Sequence, residues 1–286
     1  MFQNKQKVVV VSSGDERRVI KVQAVSGVDA GRYPTVDTTG VTGRDQQVQI
    51  VSGGDETRFP KLQGLADARA TADSVISALT PAAWYRNATG VTSAGGFASQ
   101  WDDYSGNTRH LVQGTGTNQP AYDSGTGVVL FDGADNYMKA SAFTLNQPLT
   151  IVLVFSQISW TASDRIWDGN TVNTVWAYQL TASPNISIRG DSTDLNTNPD
   201  LSVGSYGIIT AVYDGASSSV MTNLNAKATG GVGAANAAGF TLAASGNVLG
   251  NWSNIAVKEC VIFPTALSDA NQSAVVTALN NALTVF

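Results

Sequence analysis

Along most of the chain the apolar residues come in short stretches, alternating with polar residues or running unbroken, that stop at Gly, Asn or Asp. The clearest are residues 150–155 (TIVLVF), 185–189 (NISIR), 207–213 (GIITAVY), 219–222 (SVMT) and 255–263 (IAVKECVIF). Period-two alternation and brief apolar runs between turn residues predict β-strands. Many such strands in about two hundred residues predict a sandwich or barrel. Two further alternating stretches, 19–23 (VIKVQ) and 47–51 (QVQIV), stand near the N-terminus. Helical spacing occurs in two places. In residues 65–79, Leu65, Ala68, Ala72, Val75, Ile76 and Leu79 share one narrow stripe, with Pro81 just beyond, which reads as a short connector helix rather than a coiled coil. Near the C-terminus Ser268 or Asp269 caps a helix that buries Val275, Val276, Leu279 and Leu283.

Composition sharpens the β reading. Glutamate, a good helix former, occurs only at Glu16, Glu56 and Glu259, whereas the 286 residues include 28 glycines. Charge divides the chain: residues 1–79 hold ten of the 17 basic and nine of the 22 acidic side chains, while all six Trp lie after residue 80. A boundary is therefore expected near Thr80-Pro81. The net charge of −5 disfavours nucleic acid as a partner. One cysteine, Cys260, precludes an intrachain disulfide, and one histidine, His110, precludes a multi-histidine metal site. The longest aliphatic runs, 8–11 and 151–155, are too short for a helix that spans a bilayer. The N-terminal apolar stretch of four residues runs straight into SSGDERR, unlike a secretory signal.

A short unit recurs in the first part: 11–15 (VSSGD), 25–29 (VSGVD), 41–45 (VTGRD) and 51–55 (VSGGD). Arg18, Arg32 and Arg58 each follow by three positions the aspartates Asp15, Asp29 and Asp55. Strand, Gly-Asp turn, strand is the physical reading, giving a small meander or an extended β arm. About eighty residues with few large apolar side chains make a poor independent core. The arm is therefore expected to assemble on copies of itself or on a neighbouring protein, through Asp15, Arg18, Asp29, Arg32, Asp55 and Arg58.

The second part carries a resemblance. PAAWYRNATG (81–90) is followed by Trp101-Asp102-Asp103-Tyr104-Ser105-Gly106-Asn107, then Gln119-Pro120, then Phe131-Asp132-Gly133-Ala134-Asp135-Asn136-Tyr137, and a last strand ending in Leu267-Ser268-Asp269. This order resembles the concanavalin A-like lectin/glucanase superfamily in its laminin-G-like jelly-roll form, common in phage virion and bacterial surface proteins. Asn136 departs from the pattern, which usually has a second acid there. The resemblance implies an antiparallel jelly-roll β-sandwich over 81–286; with the β-rich arm over 1–64 and the helical connector over 65–80 read from the residue pattern above, the expected fold is all-β. The resemblance also implies framework positions for Trp84 and Trp101 and a structural role for Glu259.

Some relatives in that superfamily are glucanases, which need two carboxylates roughly 5–9.5 Å apart. Their Glu-x-Asp-x-x-Glu strand motif is absent, and the aspartate pairs 102/103, 132/135, 164/168 and 191/194 sit beside turn residues. No Gly-x-Ser-x-Gly elbow or Walker loop is present. A non-enzymatic protein is therefore expected. Sugar binding needs exposed rings and short polar groups. The densest such cluster is Trp160, Asp164, Arg165, Trp167, Asp168, Trp176 and Tyr178, although Trp167 and Trp176 suit the core of adjacent strands better than a ligand surface. Calcium is the one candidate cofactor, at Asp191, Asp194 and Asp200 in an oxygen-rich loop. The combined expectation is a homo-oligomeric phage virion component, a head decoration or fibre or a tail fibre or spike. Its arm would hold other virion proteins and its lectin-like domain would adhere to host-surface glycan, without membrane insertion. A stand-alone carbohydrate-binding module and a glycan-degrading enzyme are the alternatives.

Overall fold

The structure is a computed structural model that describes the backbone of residues 10–11, 20–23, 48–51 and 60–286, with side chains from residue 68 onward. The chain divides into two units, Met1–Gly64 and Leu65–Phe286. In the first, strands Val10–Val11, Ile20–Gln23 and Val48–Val51 form a small sheet. The first two pair antiparallel and the last two parallel. The parallel pair departs from a meander, and the long stretch between its strands gives the chain room to return in the same direction. Asp15, Arg18, Asp29, Arg32, Asp55 and Arg58 lie outside the described residues.

The second unit is an antiparallel β structure whose seventeen strands join in one sheet folded into two layers. Helix α1 (Pro60–Ala78) precedes it and α2 (Asp269–Leu283) closes it. The back layer runs Ala228–Gly230, Ser218–Thr222, Tyr206–Tyr213, Leu149–Gln157, Asn254–Phe263 and Val128–Asp132, with Ala83–Tyr85 beside the later half of the fifth strand. The front layer runs Leu195–Asn196, Ile186–Arg189, Trp176–Gln179, Arg165–Asp168, Thr241–Leu242, Met138–Ala140, Leu111–Val112, Phe97–Trp101 and Val91–Ala94.

The apolar runs of the back layer follow from burial on both faces. All nine residues of Leu149–Gln157 are buried. Leu149, Ile151, Leu153 and Phe155 face the core between the layers, whereas Val152 and Val154 join a second cluster with Ile76 of α1 and Val275, Val276 and Leu279 of α2. A strand covered by helices on its other side needs no polar alternation. Helix α2 starts at the expected cap: Ser268 Oγ accepts from Asn271 N–H at 3.3 Å.

The Asn254–Phe263 strand contains a bulge. Val154 pairs with Glu259 but Phe155 with Val257, so Lys258 is the extra residue. Ile255 and Val257 point into the inter-layer core before it, and Cys260 and Ile262 after it. The change of phase turns Glu259 toward the helix side, where it is completely buried. There its carboxylate accepts from Trp84 Nε1 at 2.7 Å, Arg69 Nη1 at 2.7 Å and Asn87 N at 3.2 Å. Arg69 and Arg86 both also bond Asp73, so one charged network fastens α1 to the sandwich.

Asp103 explains the Trp-Asp-Asp-Tyr-Ser-Gly-Asn stretch. Its carboxylate accepts from the backbone N–H of Trp84, Ser105 and Arg109, which folds the turn onto the strand Ala83–Tyr85. His110 Nδ1 accepts from Asp103 N–H at 3.1 Å, and Trp84 and Trp101 are core residues. Burial raises the Cys260 thiol far above its ordinary range, with Glu259 adding to the shift, so it packs as a small hydrophobe.

Candidate functional site

The sequence-expected residues fall on both faces of the front layer. A bulge in Arg165–Asp168 aligns Arg165 with Tyr178 and Trp167 with Ala177. Ile166 and Trp167 therefore both enter the core, with Val175 and Ala177 beside them. Trp167 donates from Nε1 to Tyr213 Oη at 3.1 Å within the interior and is not a ligand surface. Trp176 and Tyr178 alternate with those core residues and take the outer face.

On that face four side chains interleave. The Arg165 guanidinium lies 5.1 Å from the Trp176 ring and 5.0 Å from Tyr178, and that of Arg189 lies 5.4 Å from Trp176. Arg189 reaches this place because strand register sets it opposite Trp176. Arg165 Nη2 donates to Asn173 Oδ1 at 2.8 Å, and Arg189 Nη1 stands 3.6 Å from Asp194. Burial, reinforced by Asp194, pushes the Tyr178 hydroxyl up to about 12. The arginines cover the rings: Trp176 is 3% exposed and Tyr178 8%. Neither offers the open face that a pyranose stacks on.

Asp168 is buried and ties two loops together. Its carboxylate accepts from the N–H of Gly169 (2.8 Å), Asn173 (3.0 Å), Thr174 (3.4 Å) and Gly246 (3.0 Å). Trp160 is half-buried and donates from Nε1 to Asn185 O at 3.4 Å.

Asp164 stands at the edge of this region. Burial raises its carboxyl to about 6, against the lowering effects of Thr161 and Arg165. An acid whose folded value lies above its unfolded one contributes stability that is present below about pH 4 and lost as pH rises through about 6. Asp164→Asn should melt close to the parent at pH 4 and above it at pH 7. Melting curves at both pH values check this; a difference that does not change with pH would refute the burial of the carboxyl.

The carboxylates considered for calcium do not converge. Asp194 faces Arg189, Asp200 accepts from Asn185 Nδ2 and Thr197 Oγ1, and Asp191 is exposed. Among the described residues, no group of three or more His, Cys, Asp or Glu gathers in a metal-holding arrangement.

A cleft that the sequence pattern did not single out opens between the end of α1 and the Tyr104–Asn107 turn. It holds about 480 Å³ and is lined by Ser77, Thr80, Trp84, Tyr104, Ser105, Asn107, Arg109 and Thr144, among others. Tyr104 is 50% exposed, with its ring edge-on to Trp84 at 5.0 Å and the Arg86 guanidinium 4.9 Å from its centre. Asn107 Nδ2 and Arg109 Nη1 both donate to Ala82 O, which holds the wall rigid. The signal for this site was the turn motif itself, whose polar residues line the space that the turn creates.

No family model and no curated protein matches the chain. Solved structures share the fold. A GH54 α-L-arabinofuranosidase, soaked with a 4-nitrophenyl arabinofuranoside, superposes with a TM-score of 0.53 at 13% identity over 66% of this chain and 51% of its own. Domain 4 of AbnA, a GH43 extracellular arabinanase from Geobacillus stearothermophilus, seen with arabinotriose, gives 0.51 at 15% identity over 69% and 98%. Trypanosoma rangeli sialidase gives 0.50 at 10% over 76% and 38%. The chain thus spans about half of the arabinofuranosidase and less of the sialidase. These likenesses are of fold, and they overturn one expectation. The sequence reading took the protein to be non-enzymatic because a glucanase motif is missing. The fold neighbours are glycoside hydrolases, so the absence of one branch's motif is no ground for that exclusion.

Proposed function

We propose that the sandwich is a carbohydrate-binding domain of the concanavalin A-like type and that its sugar sits in the cleft beside Tyr104. The half-exposed Tyr104 ring among short polar side chains carries this reading, because sugar recognition pairs an open aromatic face with hydroxyl, amide and guanidinium partners. The cleft volume lies within the roughly 300–1,000 Å³ typical of small-ligand sites. The fold neighbours support it: the domain of the Geobacillus arabinanase was solved with arabinotriose. The wider proposal is a virion component whose segment 1–64 attaches to the particle while the sandwich meets host-surface glycan; it rests on the resemblance described above.

Titration calorimetry of the full chain with arabinotriose tests the cleft. Binding is expected, and Tyr104→Ala should weaken it about fivefold to tenfold, the worth of one aromatic contact. Unchanged affinity in a variant that melts like the parent would remove the sugar from this cleft. Reducing ends released from arabinan, measured on the same samples, report any hydrolysis.

A further inference from the structure

The arginine-covered face of the front layer has an unusual hydrogen-bond balance. Trp176 Nε1, Arg165 Nε and Arg189 Nε are all buried, and none has an acceptor. They come from three adjacent strands and meet around a single indole ring. A buried N–H without a partner costs about 1–3 kcal/mol, and native structures keep such groups few. Three in one patch, all donors, mark a place short of acceptors.

The nearby polar groups do not fill the deficit. Two guanidiniums lie on one indole, and Arg189 stands 3.6 Å from Asp194, beyond a hydrogen bond, and otherwise meets the Tyr178 hydroxyl. Arg165 gives one N–H to Asn173. The nearest buried acid, Asp168, is engaged by four backbone N–H groups and offers little to the arginines. The neighbouring carboxylates thus balance the two guanidiniums in charge while leaving the Nε donors without an acceptor. Arg189 remains a third exposed, so its outer edge is open to a ligand.

We infer that Arg165, Arg189 and Trp176 form a second site, separate from the cleft, that takes the carboxylate of an acidic sugar such as a uronic acid. A planar carboxylate supplies two acceptor oxygens in the geometry that guanidinium donors match. Stacking on Trp176 holds the guanidiniums in place before the ligand arrives, which lowers the ordering cost of binding. The saccharide part of this assignment rests on the carbohydrate-binding reading above; the carboxylate part rests on the unpaired donors alone.

Sodium glucuronate and its neutral methyl ester, titrated into the full chain, separate these parts. The readout is the indole N–H resonance of Trp176, identified by its loss in Trp176→Phe. Glucuronate should shift that signal and the ester should not. Arg189→Gln should weaken the response at least tenfold, Arg189→Lys should keep part of it, and Tyr104→Ala should leave it unchanged. Equal responses to acid and ester, or an unaffected Arg189→Gln, would overturn the site. Acetate acting as strongly as glucuronate would remove the sugar from the assignment and leave a carboxylate site. Because the cleft is probed with neutral arabinotriose and Tyr104→Ala, either site can fail without the other.

Discussion

Glu259→Ala should destabilise the protein by about 3–5 kcal/mol, the cost of breaking a buried ion pair from one side. The carboxylate is completely buried and satisfies Arg69, the Trp84 indole and the Asn87 amide together. Alanine leaves a cation with one partner fewer and an indole N–H with none. Asp73 still holds Arg69, so the loss should concentrate at the contact between α1 and the back layer. Denaturant midpoints measure the effect. Glu259→Gln keeps an acceptor for Trp84 and should cost less than alanine. The double variant Arg69→Met/Glu259→Leu removes both charges and should recover much of the loss. A loss below about 1 kcal/mol in Glu259→Ala would mean that the network does not fasten α1.

Asp168→Ala should cost about 3 kcal/mol, because it withdraws the acceptor shared by four backbone N–H groups in two loops. The effect is also local. Asn173, which positions Arg165, sits in one of those loops, so the variant should weaken the response to glucuronate as well. Asp168→Asn retains one acceptor oxygen and should lie between. Hydrogen exchange at residues 169–174 and 245–251 is the measurement: faster exchange confined to these loops is expected, and exchange like the parent's would assign the loop order to other contacts.

The β character, the late helix and the framework tryptophans were legible because each depends on local pattern. Trp84 and Trp101 sit in the core, and Ser268 caps the helix that its spacing announced. Helix α1 begins at Pro60, five residues before the stripe predicts, since proline is well suited to a helix's first turn. What escaped the pattern depends on pairing. Trp167 and Trp176 look alike along the chain, yet the bulge at Ile166 puts them on opposite faces. Arg189 gave no signal of its own; only its register opposite Trp176 brings it to the site. The Tyr104 cleft was hidden for a related reason: its walls come from α1, a turn and two distant loops, joined by tertiary folding alone.

The bulge at Lys258 has a consequence for how this chain can change. Upstream and downstream of it the closing strand runs in opposite phase, and one surplus residue holds the two phases together. Exchanging that residue for another leaves the phase intact. Losing it by deletion of a single codon would turn the bulge into regular alternation, with Val257, Cys260 and Ile262 still facing the inter-layer core and Glu259 still facing the helices. What inheritance has to guard here is the inward and outward order of the flanking side chains, which survives both a change of letter at 258 and its loss.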